Sequence, residues 1–195
     1  MVFTTLFRGL LSALSLVSLA NAQVTITPNP GLNTSTAYDG YRVYSLYEYS
    51  GQSAWDIATL SFYTDADCAT SSKVTVNSNT ATLISSGQAE GSAFHPTSAF
   101  DDSDTTVWKG RKDGNYFWLG YELGQSAVVV KCITIDQGSG DVDTTWLQDA
   151  FSIQGNQKGG EWDVLYDVAD ARNSAITILS LSATWSTLKV CLFVY

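Results

Sequence analysis

Residues 98–108 read SAFDDSDTTVW: three aspartates, a serine and two threonines lie between the apolar entry Ala99-Phe100 and Trp108. Carboxylate, hydroxyl and carbonyl oxygens gathered in one turn are what a hard cation needs, since Ca2+ takes about six to eight such ligands at about 2.3–2.6 Å. The same side chains can instead cap their own backbone and make an ordinary acidic turn. A third reading makes the stretch the edge of a binding pocket. All three are open at the level of residue types.

Directly after Trp108 comes KGRKDGNYFW, which sets Lys109, Arg111, Lys112, Asn115 and Tyr116 close together. Cations and an amide can hydrogen-bond sugar hydroxyls or a carboxylate, and a tyrosine can stack on a sugar face. The plainer reading is a solvated turn flanking a strand. His95 is the sole histidine and precedes Pro96 near the acidic stretch. It is either a sugar contact or an incidental loop residue.

Catalysis finds little to work with. A Ser-His-Asp triad would have to use His95, and there is no G-x-S-x-G. H-E-x-x-H, paired C-x-x-C, P-loop and dinucleotide fingerprints are missing too. Asp141/Asp143 or Asp101/Asp104 could in principle run glycoside chemistry, but that needs a sugar cleft and one raised pKa, neither legible in the sequence. The chain is therefore expected not to be an enzyme.

These residues need elements to hold them. At 195 residues and 45% hydrophobic the chain suits one domain with a real core, and 15% charge is too little for a disordered polyelectrolyte. The N-terminus carries Arg8, an apolar run from Gly9 to Leu19, and Ala20-Asn21-Ala22 before Gln23. That is the pattern of a secretory signal peptide over residues 1–22, and the run is short for a membrane span. No later stretch is long and apolar enough for a transmembrane helix. Losing Arg8 leaves nine basic against 19 acidic residues, a balance of −10. Such a charge disfavours nucleic acid and anionic membranes. In an oxidising compartment two of Cys68, Cys132 and Cys191 pair. Cys68–Cys132 is the expected bond, with Cys191 free or intermolecular. Asn33-Thr34-Ser35 is the one N-glycosylation sequon.

Residues 23–40 read as an extended lead-in, and the domain proper as 41–195. Within it, segments rich in Val, Ile, Thr and aromatics recur between Gly, Ser, Asn and Asp clusters. Strands are expected at YRVYSLYEY, DIATLSFYT, KVTV, ATLIS, YFWLGYEL, AVVVKCITID, AFSIQ, EWDVLYDV, AITILSL and TLKVCLFVY. No sustained helical periodicity is present, and DVADARNSA offers one helical turn at most. The fold class is all-β, an antiparallel β-sandwich. In WLGYELG, Leu119, Tyr121 and Leu123 share one face, while Trp118, Gly120 and Glu122 share the other. Trp162 is expected to drop onto the core.

Four stretches in order resemble one family. YRVYSLYEYSGQSAWDIATLSFYTD resembles the opening strands of galactose-binding-like jelly rolls. HPTSAFDDSDTTVW resembles their A-x-D-G-x-x-x-T-x-W loop, and YFWLGYELGQSAVVVKCITIDQ the discoidin pattern W-L-x-V-D-L-G. FSIQGNQKGGEWDVLYDV resembles S-x-D-G-x-x-W-x-x-L. Together they span about residues 41–170 and are similar to the discoidin-like (F5/8 type C) superfamily, which implies a jelly-roll topology. The resemblance further implies one structural Ca2+, held by the Asp101 carboxylate, the Ser98 and Ser103 carbonyls, and the hydroxyl and carbonyl of Thr106. Asp102 stands where the family has glycine, and CLFVY lacks its acidic ligand near the C-terminus. In sugar-binding relatives the ligand sits on loops at one end of the sandwich, which implicates His95, Lys109, Arg111, Asn115 and Tyr116. Many galactose binders have a histidine where this chain has Lys109, so galactose specificity does not carry over.

The expected function is a secreted, non-catalytic module for carbohydrate or another extracellular surface ligand. The alternative is a building block of an extracellular coat or wall, which self-associates and uses the fold as a packing unit.

Overall fold

The computed structural model describes residues 25–30, 35–46, 54–76, 81–124, 126–137, 147–169, 175–179 and 190–193. The strands are β1 (Thr25–Pro28), β2 (Gly40–Ser45), β3 (Trp55–Ile57), β4 (Thr59–Tyr63), β5 (Ala81–Ser85) and β6 (Trp108–Gly110). They continue with β7 (Trp118–Leu123), β8 (Cys132–Asp136), β9 (Phe151–Asn156), β10 (Trp162–Ala169), β11 (Ala175–Leu179) and β12 (Val190–Phe193). Every ladder between them is antiparallel. One sheet runs β1-β10-β9-β2-β7-β5 and a second β12-β11-β8-β4, with β3-β6 as a short separate pair.

Alternation within strands builds the core. Tyr41 and Val43 of β2, Leu119 and Tyr121 of β7, and Ile153 of β9 point inward and are almost wholly buried. They meet Phe62 of β4 and Ile133 and Ile135 of β8 from the facing sheet. Phe62 lies edge-on to Tyr121 with ring centroids 5.1 Å apart, and tilted to Tyr41 at 6.0 Å. The all-β sandwich expected from periodicity is therefore the architecture.

Polar tips inside this layer are mostly matched. The Tyr41 hydroxyl donates to the Val128 carbonyl at 2.7 Å and accepts the Val130 N–H at 3.1 Å. Trp55 Nε1 donates to Gln137 Oε1 at 2.8 Å, and Gln137 in turn donates to the Gln148 carbonyl at 3.0 Å. One exception is the Tyr121 hydroxyl, buried without a hydrogen-bond partner among the described residues.

Cys68 and Cys132 form a disulfide with their Cα atoms 5.5 Å apart, as expected. The bond joins the loop after β4 to the first residue of β8, beside the pair Tyr63↔Cys132.

Several local expectations change. The run 56–64 is two strands rather than one. At Ala58 between them, the N–H leaves the run to reach the Asp136 carbonyl at 2.8 Å. KVTV is no strand: Lys73 makes a single bridge to Tyr63, and the Val74 N–H reaches the Phe62 carbonyl at 2.8 Å. β1 emerges from the lead-in as an edge strand, where the proline at its end costs no ladder bond. β6 was hidden in the basic turn. Trp162 does not enter the core: it pairs in register with Asn156, and a bulge between Val164 and Tyr166 restores the inward face only further along β10. The residues 1–22, Asn33, Asp141 and Asp143 lie outside the described residues. Among those described, no helix is long and apolar enough to cross a membrane.

Candidate functional site

The acidic stretch closes around one hydroxyl. Thr106 Oγ1 lies 3.0 and 2.8 Å from the two Asp101 carboxylate oxygens, 3.3 Å from the Ser98 carbonyl and 3.5 Å from the Ser103 carbonyl. A hydroxyl has one proton to give, so most of these contacts set acceptor against acceptor. The four residues implicated as cation ligands thus converge on one point. The same residues also cap backbone: the Ser103 N–H donates to Asp101 Oδ1 at 2.9 Å, and the Thr105 N–H to Ser103 Oγ at 3.2 Å. Asp102 takes φ 62°, the left-handed conformation that a glycine would supply, and its carboxylate pairs with Lys73. A cavity of about 310 Å³ lies alongside, lined in part by Leu60, Phe62, Val74 and Phe100, with Lys73 and Asp102 at its edge. No group of three or more His, Cys, Asp or Glu positioned for a metal ion occurs among the described residues.

The residues expected to bind a ligand do not form one cluster. His95 caps the 3₁₀ turn Pro96–Phe100: its Nδ1 accepts the Thr97 N–H at 3.2 Å and lies 2.9 Å from the Thr97 hydroxyl. Lys109 Nζ sits 3.7 Å from Asp56 Oδ2, where Asp56 is fully buried, and 4.7 Å from the centre of the Phe94 ring. Arg111 and Asn115 are exposed on the turn, and Lys112 Nζ lies 5.8 Å from the centre of the Phe117 ring. Tyr116 leads elsewhere. Its ring stacks on Tyr44 of β2, centroids 5.1 Å apart at 29°.

Tyr44 belongs to the outer face of the six-stranded sheet, and that face carries the most chemically distinctive group in the molecule. Arg42, two residues before Tyr44, points the same way. Its guanidinium carbon lies 4.2 Å from the Trp162 ring centre, 4.9 Å from Tyr44 and 5.6 Å from Trp118. Three electron-rich ring faces around one cation form an aromatic cage. Arg42 Nε donates to Gln154 Oε1 at 2.7 Å, its register partner on β9. The register partner on the other side is Gly120 of β7, which brings no side chain. Burial lowers the Arg42 pKa to about 10, which leaves it charged at neutral pH. Tyr44 is pushed up, first by burial and then by Tyr116 beside it.

Sequence reasoning picked out Tyr116 but missed Arg42, Tyr44, Gln154 and the outward role of Trp162. One signal was available: alternation opposes Arg42 and Tyr44 to the inward Tyr41 and Val43. What joined them to Trp118, Gln154 and Trp162 was the pairing of β2 with β7 and β9, and of β9 with β10.

No family model, no curated protein and no solved structure matches this chain.

Proposed function

We propose that this chain is a secreted, non-catalytic, discoidin-like binding module. It recognises a glycan on the outer face of its six-stranded sheet, together with the adjoining turn 111–116. The observation that carries the reading is the caged arginine. Arg42, Tyr44, Trp118 and Trp162 are all only partly buried, and Tyr116 extends the aromatic surface. Partly exposed ring faces offer stacking for pyranose rings, and a guanidinium offers donors to their oxygens. The acidic loop then has a supporting role. Ser98, Asp101, Ser103 and Thr106 would hold a structural Ca2+, which supplies charge to an oxygen cluster and no chemistry to the ligand.

Two measurements test this. Binding of the mature protein to immobilised oligosaccharides should be lost in Trp118→Ala and Tyr116→Ala, with melting temperatures near wild type. Retained binding in both variants would sink the reading. Calcium should raise the melting temperature over EDTA in wild type and not in Asp101→Ala. Superimposable wild-type curves would make the loop a self-capped turn.

A further inference from the structure

We infer that the Arg42 cage selects an acidic sugar, with the guanidinium taking a carboxylate borne on a pyranose ring. The inference rests on the glycan-binding reading above and names the ligand class.

The first support is a missing counter-charge. Acidic residues outnumber basic ones by 19 to 10 in this chain. Even so, no carboxylate among the described residues comes within 4.0 Å of Arg42, whose half-buried position makes a partner valuable. Glu122 is on the same outer face, opposite Gly40 and two pairs along from Arg42↔Gly120, and it stays out of ion-pair range. The ion pairs that form among the described residues use Lys73 and Lys109. Among the described residues, the one side-chain hydrogen bond from Arg42 goes to a neutral amide.

The second support is geometric. Gln154 engages Nε, the inner edge of the guanidinium, which fixes the plane and leaves the Nη pair with no hydrogen bond to the described residues. Two parallel N–H groups match the two oxygens of a carboxylate in a bidentate pair, which a sugar hydroxyl cannot copy. Gly120 brings no side chain to this face, and the partly exposed rings of Tyr44, Trp118 and Trp162 stand around the guanidinium. A pyranose ring can rest on one of those rings with its carboxylate toward the Nη pair. The four N–H donors on the two Nη atoms can also take a sulfate ester, so the planar carboxylate and the tetrahedral ester must be told apart by experiment.

The test is calorimetric titration of the full mature protein with trimers of galacturonate, glucuronate and mannuronate. Each is paired with its methyl ester, and a sulfated trisaccharide serves as control. At least one uronate should bind about tenfold or more tightly than its ester, a preference that vanishes in Arg42→Gln. Arg42→Lys keeps the charge and loses the fork, so it should retain only part of the preference. Melting temperatures of both variants report whether the fold is intact. Equal binding of acid and ester, or tighter binding of the sulfated sugar, overturns the carboxylate assignment while the glycan reading survives. Uronate binding that Arg42→Gln leaves unchanged but Trp118→Ala abolishes does the same, and assigns Arg42 to packing. No binding to any uronate, ester or neutral oligosaccharide overturns both.

Discussion

Tyr41 and Arg42 are neighbours in sequence and stand on opposite faces of β2, where they treat polarity in opposite ways. On the inner face the Tyr41 hydroxyl is enclosed and matched twice, by the Val128 carbonyl and the Val130 N–H. On the outer face Arg42 is ringed by aromatic side chains and shares one bond with Gln154. Both faces are rich in tyrosine and tryptophan, so composition alone does not separate core from site. What separates them is whether the polar end finds its partner inside the protein.

The most damaging way to break this contrast is to force the two strands apart. A Cβ added to Gly120 would lie 2.1 Å from the Tyr41 carbonyl oxygen and 2.6 Å from Arg42 Cα, both backbone atoms that cannot swing away. Gly120→Ala should cost about 3 kcal/mol or more and disturb both faces together. Urea unfolding checks it, and a loss below about 1 kcal/mol would show that β2 and β7 separate easily.

Next in size is Tyr41→Phe, which leaves the buried Val130 N–H without its acceptor and should cost about 1–3 kcal/mol. A change near zero would mean water reaches that site. The same residue has a signature in pH. Burial pushes Tyr41 up to about 12, against the lowering pull of its bond to Val130, and burial carries Tyr166 to about 12 as well. Between pH 10 and 12 the unfolded chain gives up these protons while the folded chain keeps them. Stability should therefore fall as pH rises through that window, and fall less steeply in Tyr41→Phe. Urea midpoints at pH 9, 10 and 11 measure the slope.

The smallest effect sharpens the contrast from within the core. Tyr121 is 6.2 Å from Tyr41 by ring centroids, yet its hydroxyl has no partner among the described residues. Tyr121→Phe removes an unmet polar group and should leave stability unchanged or raise it by up to about 1 kcal/mol. A loss as large as that of Tyr41→Phe would reveal a hidden partner.

The fold was more legible than the site. Period-two alternation in WLGYELG assigned Leu119 and Tyr121 to the core correctly, because burial of one face is written into a strand's own residues. The division of 56–64 at Ala58 was not legible, since it answers to a hydrogen bond with Asp136, 78 positions downstream. Trp162 failed for a related reason: which way a strand faces depends on register and on a bulge, both set between strands. The acidic loop was readable because its oxygens are adjacent in sequence. The cage was not, because Arg42, Trp118, Gln154 and Trp162 come from four strands that only the sheet order brings together.

The disulfide has a further consequence for durability against proteolysis. Cys68 and Cys132 are 64 positions apart, and the covalent ring they close includes the acidic loop, the basic turn and Trp118. A protease that cuts once anywhere in that ring, at the exposed residues 113–115 for instance, opens a loop but releases no fragment. The nicked molecule keeps its parts on one covalent frame, and a cut on a reducing gel would be invisible on a non-reducing one.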